Sequence, residues 1–106
     1  MGLFDFIKQP DINQGVKDYQ KENGAVMLDV RTPQEYKSGH IPGSKNVPLP
    51  IIEQVLSIVN NKDTVLYVYC QSGARSQQAT SILQHMGYKN VNNIGGISAY
   101  TGRVER

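Results

Sequence analysis

Thr64-Val65-Leu66-Tyr67-Val68-Tyr69-Cys70-Gln71-Ser72-Gly73-Ala74-Arg75-Ser76 is the stretch on which the reading of this chain turns. Its first six residues are apolar, β-branched or aromatic, which predicts a buried strand over 64–69. Beyond Ser76, the residues Ala79, Ile82, Leu83 and Met86 recur at helical spacing. Cys70 therefore stands at the carboxyl end of a strand, above a short loop that feeds a helix N-terminus. Such a place offers unpaired backbone N–H groups and the positive end of a helix dipole. Both stabilise a thiolate, the reactive form of cysteine. The competing reading is a buried cysteine acting as a small hydrophobe. The strand before it, Gly73 three residues later and Arg75 favour the reactive thiol.

The same alternation continues outward in both directions. A helix is expected near 12–22, capped by Asp11 with Gln14 three positions on, and stopped by Asn23-Gly24. Ala25 to Val30 reads as a short buried strand. Thr32-Pro33-Gln34-Glu35 combines a capping box with proline at the first helical position, opening a short helix that ends at Gly39. Residues 45–48 read as another strand. Pro50 opens a helix whose apolar face is Ile52, Val55, Leu56 and Val59. After the long helix, Val91 to Asn93 reads as a last strand and Gly95-Gly96 as a turn. Strands alternating with helices predict an α/β layered domain with a mainly parallel sheet. Ligands of such sheets bind beyond the carboxyl ends of the strands, where Cys70 is placed.

Composition narrows the function classes. The 106 residues are expected to form one domain, 1–106, with residues 1–10 as an N-terminal arm docked on the core. One cysteine cannot form an internal disulfide, so sulfur chemistry at Cys70 has to finish on a second molecule. The net charge of +2 is small and its lysines and arginines are scattered, which argues against nucleic acid as a partner. No apolar run approaches a membrane span, and the opening Met1-Gly2-Leu3-Phe4-Asp5-Phe6-Ile7 lacks the pattern of a signal peptide. Phe6 also departs from the myristoylation pattern. The expected address is the cytoplasm, without membrane association.

The loop itself can hold an anion. Successive backbone N–H groups form a concave nest. Gly73 permits backbone angles that other residues resist. Ser72 and Ser76 add hydroxyls, and Arg75 adds a fixed positive charge.

Three motifs resemble the rhodanese family. Asp29-Val30-Arg31-Thr32-Pro33-Gln34-Glu35-Tyr36, followed by Gly39-His40-Ile41-Pro42-Gly43-Ser44, is similar to its first signature. That signature is an aspartate-valine-arginine run, a short capped helix, then glycine-histidine-isoleucine-proline-glycine-alanine; only Ser44 departs. Cys70-Gln71-Ser72-Gly73-Ala74-Arg75-Ser76 resembles the active loop. Gly95-Gly96-Ile97 with Tyr100 resembles the C-terminal turn, where tryptophan is more usual than tyrosine. The motifs occur in the family's order and cover nearly the whole chain. The resemblance implies a rhodanese-like three-layer domain, its central sheet flanked by helices. It also implies a sulfurtransferase that takes sulfane sulfur from a small anionic donor such as thiosulfate. By that resemblance Cys70 would become a persulfide and pass the sulfur to cyanide, a thiol or a protein acceptor. The amides of Gln71, Ser72, Gly73, Ala74, Arg75 and Ser76 would cradle the persulfide, and Arg75 would attract the donor. A partner-dependent persulfide carrier is the alternative. Phosphatases and arsenate reductases of this fold place five residues between cysteine and arginine. Here there are four, which argues against that chemistry.

Other tempting residues read as structural support. Asp29 and Arg31 either line the cleft or form a buried charge-assisted network, and the network is preferred. His40 could be a base or ligand, but a turn-binding role is preferred. Glu35 reads as a cap, His85 as a surface or capping residue, and Tyr67 and Tyr69 as strand packing. No histidine or cysteine spacing suits a metal, and no cofactor is implied. The expected state is a monomer or weak dimer.

Overall fold

Strands β1 (Val26–Asp29), β2 (Lys45–Asn46), β3 (Val65–Cys70) and β4 (Asn90–Gly96) form one sheet in the order β2-β1-β3-β4. Every neighbouring pair is parallel in this computed structural model, which describes residues 9–106. Parallel strands need crossover connections, and the helices α1 (Ile12–Lys21), α2 (Pro33–Ser38), α3 (Val55–Ile58) and α4 (Ala74–His85) alternate with them.

The period-two alternation of β3 sorts its side chains between two cores. Leu66, Val68 and Cys70 join the core that includes Val55 of α3 and Ala79 and Leu83 of α4. Tyr67 and Tyr69 join the opposite core, with Ile12 and Val16 of α1 and Ile94 of β4. The sheet is thus covered on both faces, which is the three-layer α/β architecture expected. Its two central strands, β1 and β3, read as nearly continuous apolar runs for the same reason. Burying a side chain such as Leu66 or Val68 contributes roughly 1.5–3 kcal/mol each.

Local signals set the helix ends. Asp11 caps α1 by accepting from the amides of Asn13 and Gln14. The reciprocal half of that cap is absent, because the Gln14 side chain donates to Asp18 instead. At α2 the full capping box forms: the Glu35 amide donates to Thr32 Oγ1 and the Thr32 amide to Glu35 Oε1.

Two expectations are corrected. The helix opened by Pro50 is a 3-10 stretch, Leu49–Gln54, with non-helical angles at Ile51, followed by the four-residue α3. Pro48 and Pro50 withhold two amide donors there. The kink at Ile51 breaks the one helical face that the sequence predicts. Ile52, Val55 and Val59 are buried, while Leu56 is 46% exposed. The second correction concerns Gly95-Gly96, which are not a turn but the end of β4, paired with Tyr69 and Cys70. The register runs from Asn93 opposite Val68 to Gly95 opposite Tyr69, so Ile94 is an extra residue that sequence alternation alone does not reveal. On α4, Ala79 and Leu83 are buried as expected, but Ile82 is 36% exposed. The expected N-terminal arm falls largely on residues 1–8, outside the described residues.

Candidate active site

Cys70 ends β3 with its side chain turned into the core side of the sheet, 1% exposed. The chain then turns within three residues and enters α4. Gly73 makes this possible: it sits at φ +108°, a left-handed conformation that a Cβ would strain. In this conformation the Gly73 amide donates to Cys70 Sγ over 2.9 Å. One helical turn on, Ser76 is fully buried with its Oγ 3.4 Å from the same sulfur.

These contacts set the acidity of the thiol. Burial pushes it up, while hydrogen bonds from the Ser76 hydroxyl and from the amides of Ser76, Gly73 and Ser72 favour the anion. The hydrogen bonds outweigh burial, and the Cys70 thiol lies below its usual range.

The loop is held from the β4 side. The Ser98 amide donates to the Gln71 carbonyl over 3.1 Å. Gly96 packs so closely beneath the loop that a Cβ there would fall onto the Gln71 carbonyl oxygen and 2.6 Å from Ser72 Cα. Beside the loop lies a cavity of about 320 Å³. Ser72, Gly73 and Ala74 form one wall, Asn93, Gly95 and Ser98 the other, and Pro10 adds to the rim. No charged side chain among the described residues lines it.

The remaining loop side chains point to other tasks. Arg75 does not stand free. Its Nη1 and Nη2 donate to Glu35 Oε1 and Oε2 at 2.8 and 3.0 Å, a two-pronged pair between α4 and α2. Arg75 beside it, with the Thr32 backbone, holds the Glu35 carboxyl at about 2, against a partial burial that raises it. Glu35 is thus both a cap, as read from sequence, and the counter-ion of the loop. The Gln71 side chain accepts from Arg31 Nη1 at 3.3 Å.

Asp29 and Arg31 form a buried network. Arg31 Nε and Nη2 meet Asp29 at 2.8–3.1 Å, and Nη2 also donates to the Gly39 carbonyl at 2.7 Å. The residues are 0% and 3% exposed. His40 stacks on Tyr36 at 3.7 Å, takes the Tyr36 carbonyl on Nδ1, and pairs through its backbone with Glu105. Tyr69, beyond packing, receives the Ile41 amide at 3.1 Å and meets Ser44 Oγ at 3.1 Å. Ser44, the departure from the first signature, therefore has its own partner. His85 lies with Nδ1 2.9 Å from the Ser81 carbonyl, on the exposed face of α4. Among the described residues, no group of side chains could hold a metal ion. No helix among them is long and apolar enough to cross a membrane.

Sequence reasoning missed Asn93. Its Oδ1 lies 2.7 Å from Ser76 Oγ and receives the Gly95 amide at 3.0 Å. A single asparagine in a polar run, Asn90-Val91-Asn92-Asn93, carries no signal that separates it from its neighbours. Strand alternation brings it to the loop: Asn93 is paired with Val68 and shares the α4 side of the sheet with Val91.

A parallel α/β sheet with a thiol held in an amide loop between a strand and a helix is the arrangement of the rhodanese fold. The chain belongs to the rhodanese-like domain family, whose model matches residues 13–103. It is similar to Thiosulfate sulfurtransferase PspE of Escherichia coli K12, 41% identical over 71 residues, 66% of this chain and 68% of that protein. Thiosulfate sulfurtransferase 18 of Arabidopsis thaliana is 42% identical over 89 residues, 71% of this chain and 65% of that protein. The Putative sulfur carrier protein YrkF of Bacillus subtilis is 38% identical over 80 residues, 74% of this chain but 43% of that protein. Among solved structures, a rhodanese with anions from E. coli superposes with a TM-score of 0.73 at 35% identity, covering 77% of this chain and 98% of that one.

Proposed function

We propose that this domain is a rhodanese-type sulfurtransferase with Cys70 as its nucleophile. The observation that carries the reading is the Gly73 amide aimed at Cys70 Sγ over 2.9 Å, in a loop whose hydrogen bonds make a buried thiol more acidic than usual. A thiolate there would attack the outer sulfur of thiosulfate. The sulfur–sulfur bond of the donor breaks, sulfite leaves with the electron pair, and Cys70 carries one added sulfur as a persulfide anion. A thiophilic acceptor then attacks the terminal sulfur, and the electron pair of the sulfur–sulfur bond returns to Cys70 as thiolate. Neither half-reaction needs an external oxidant or cofactor, and ping-pong kinetics follow. The amides of residues 71 to 76 are suited to the negative charge that moves onto the terminal sulfur.

Ser76 stands where a longer phosphatase-type loop would carry arginine. Its buried hydroxyl on Sγ leaves no cation at that position, which favours sulfur transfer over phosphoryl chemistry.

A carrier reading has one specific support: the Arg75 charge is taken up by Glu35. A free anionic donor then finds little net attraction at the loop, and a protein donor would not need it. The relative named as a putative sulfur carrier is consistent with this.

Intact-mass measurement of the wild type and Cys70→Ser, before and after thiosulfate and without reductant, separates the readings. A gain of one sulfur on the wild type alone, removed by cyanide, supports the thiosulfate enzyme. No gain from thiosulfate, with a gain from a persulfidated protein donor, supports the carrier. No gain from either refutes sulfur transfer at Cys70.

A further inference from the structure

We infer that Asn93 is a positioning residue that holds the Ser76 hydroxyl proton away from Cys70 Sγ, so that Ser76 acts as a two-position proton switch beside the reacting sulfur. The inference rests on the reading of Cys70 as the reacting thiol, but its geometry is independent of any sulfur donor.

The argument is one of donor counting. A serine hydroxyl has one proton and two lone pairs. Around Ser76 Oγ lie three oxygens that can only accept: Asn93 Oδ1 at 2.7 Å, the Gly73 carbonyl at 3.0 Å and the Gly95 carbonyl at 3.4 Å. The fourth neighbour is Cys70 Sγ at 3.4 Å. The amide of Asn93 is oriented by its other partner: the Gly95 N–H donates to it over 3.0 Å, so the oxygen and not the nitrogen faces Ser76. Asn93 is the nearest acceptor and takes the hydroxyl proton while Cys70 is a thiol. Ser76 then offers a lone pair to the S–H group. Once Cys70 ionises, the same hydroxyl serves the anion only by turning its proton from Asn93 to Sγ. Asn93 thus competes with the thiolate for one proton.

The charged groups on the elements around the loop are already paired. Arg75 of α4 meets Glu35 of α2, and Arg31, which follows β1, meets Asp29 at its end. β4 and the 3-10 turn Ile97–Ala99 carry no titratable side chain. Arg75 favours the anion from a distance, while Asn93 acts through the hydroxyl.

The experiment is a pH titration of the thiolate by its ultraviolet absorbance, with the Cys70→Ser spectrum subtracted. It needs no donor and reads a single cysteine. Asn93→Leu removes the competing acceptor and is expected to lower the Cys70 pKa by about 0.5–1 unit, the worth of one modest hydrogen bond. Asn93→Asp keeps the Gly95 partner and is a stronger acceptor, so it is expected to raise it. In a Ser76→Ala background the Asn93→Leu shift disappears and the Asn93→Asp shift shrinks to its through-space part. Should Asn93→Leu fail to fold, the Asn93→Asp pair alone decides. Equal shifts with and without Ser76, or no shift in Asn93→Leu, overturn the inference. A titration as expected from a protein that never gains sulfur would leave the switch intact and refute the sulfurtransferase reading instead.

Discussion

Glu35 and Arg75, forty residues apart in sequence, meet in a two-pronged ion pair that joins the second helix to the first turn of the helix behind the Cys70 loop. The pair offsets the cation that the loop sequence advertises. Thiosulfate should therefore feel each partner's removal with opposite sign. Glu35→Gln leaves Arg75 uncompensated and is expected to lower the KM for thiosulfate. Arg75→Ala leaves a bare carboxylate beside the loop and is expected to raise it. The effects should be severalfold at low salt and fade as ionic strength rises, since both side chains are about one-third exposed. Equal KM values in the two variants would show that neither charge is felt at the sulfur.

The same pair makes the domain sensitive to acid. Glu35 is held at about 2 in the folded chain against an ordinary value of 4.5. A depressed carboxyl contributes stability above the unfolded value and loses it as pH falls through the folded one. The contribution should be complete above about pH 4.5 and decline towards pH 2. In Glu35→Gln this part of the acid limb should be absent. Denaturant titrations between neutral pH and pH 2 check it. An unchanged acid limb would mean that the pair is too solvated to matter.

Gly96 leaves no room for a methyl group. In Gly96→Ala the new Cβ meets the backbone of Gln71 and Ser72, which cannot swing aside as a flexible side chain would. The expected result is a loss of about 1–3 kcal/mol of stability, together with a Cys70 thiol less acidic than in the wild type because the loop amides shift. Urea unfolding and thiolate titration check both. Wild-type values in each would show that β4 does not shape the loop.

Tyr69→Phe should destabilise without touching the thiol. The hydroxyl serves the Ile41 amide and Ser44 Oγ in a fully buried position. Removing it strands the amide, at a cost of about 1–3 kcal/mol. The Cys70 titration should be unchanged, because Tyr69 faces the opposite core.

Much of the architecture was legible because it rests on local patterns. The β3 run, the Thr32–Glu35 box and the Asp11 cap are each complete within a few residues, and each forms where the sequence places it. Cys70 could be placed at the strand end because Gly73 and the apolar run bracket it. What could not be read depends on residues brought together across the chain. Glu35 reads as a cap; nothing in its neighbourhood announces Arg75. Asn93 looks like any polar residue of a surface strand until its pairing with Val68 sets it on the α4 side, against Ser76. Leu56 misled because the kink at Ile51 breaks the single helix on which its burial was judged.

The Ser98–Gln71 tie, the Gly96 floor and the Asn93–Ser76 contact all come from the end of β4 and the turn after it. On a growing chain, Cys70 emerges more than twenty residues before these supports. Until they are made, the loop lacks them. The Cys70 loop thus leans on the last strand in sequence: a chain ending before Asn90 would keep the cysteine and its Gly73 amide but lose all three supports at once.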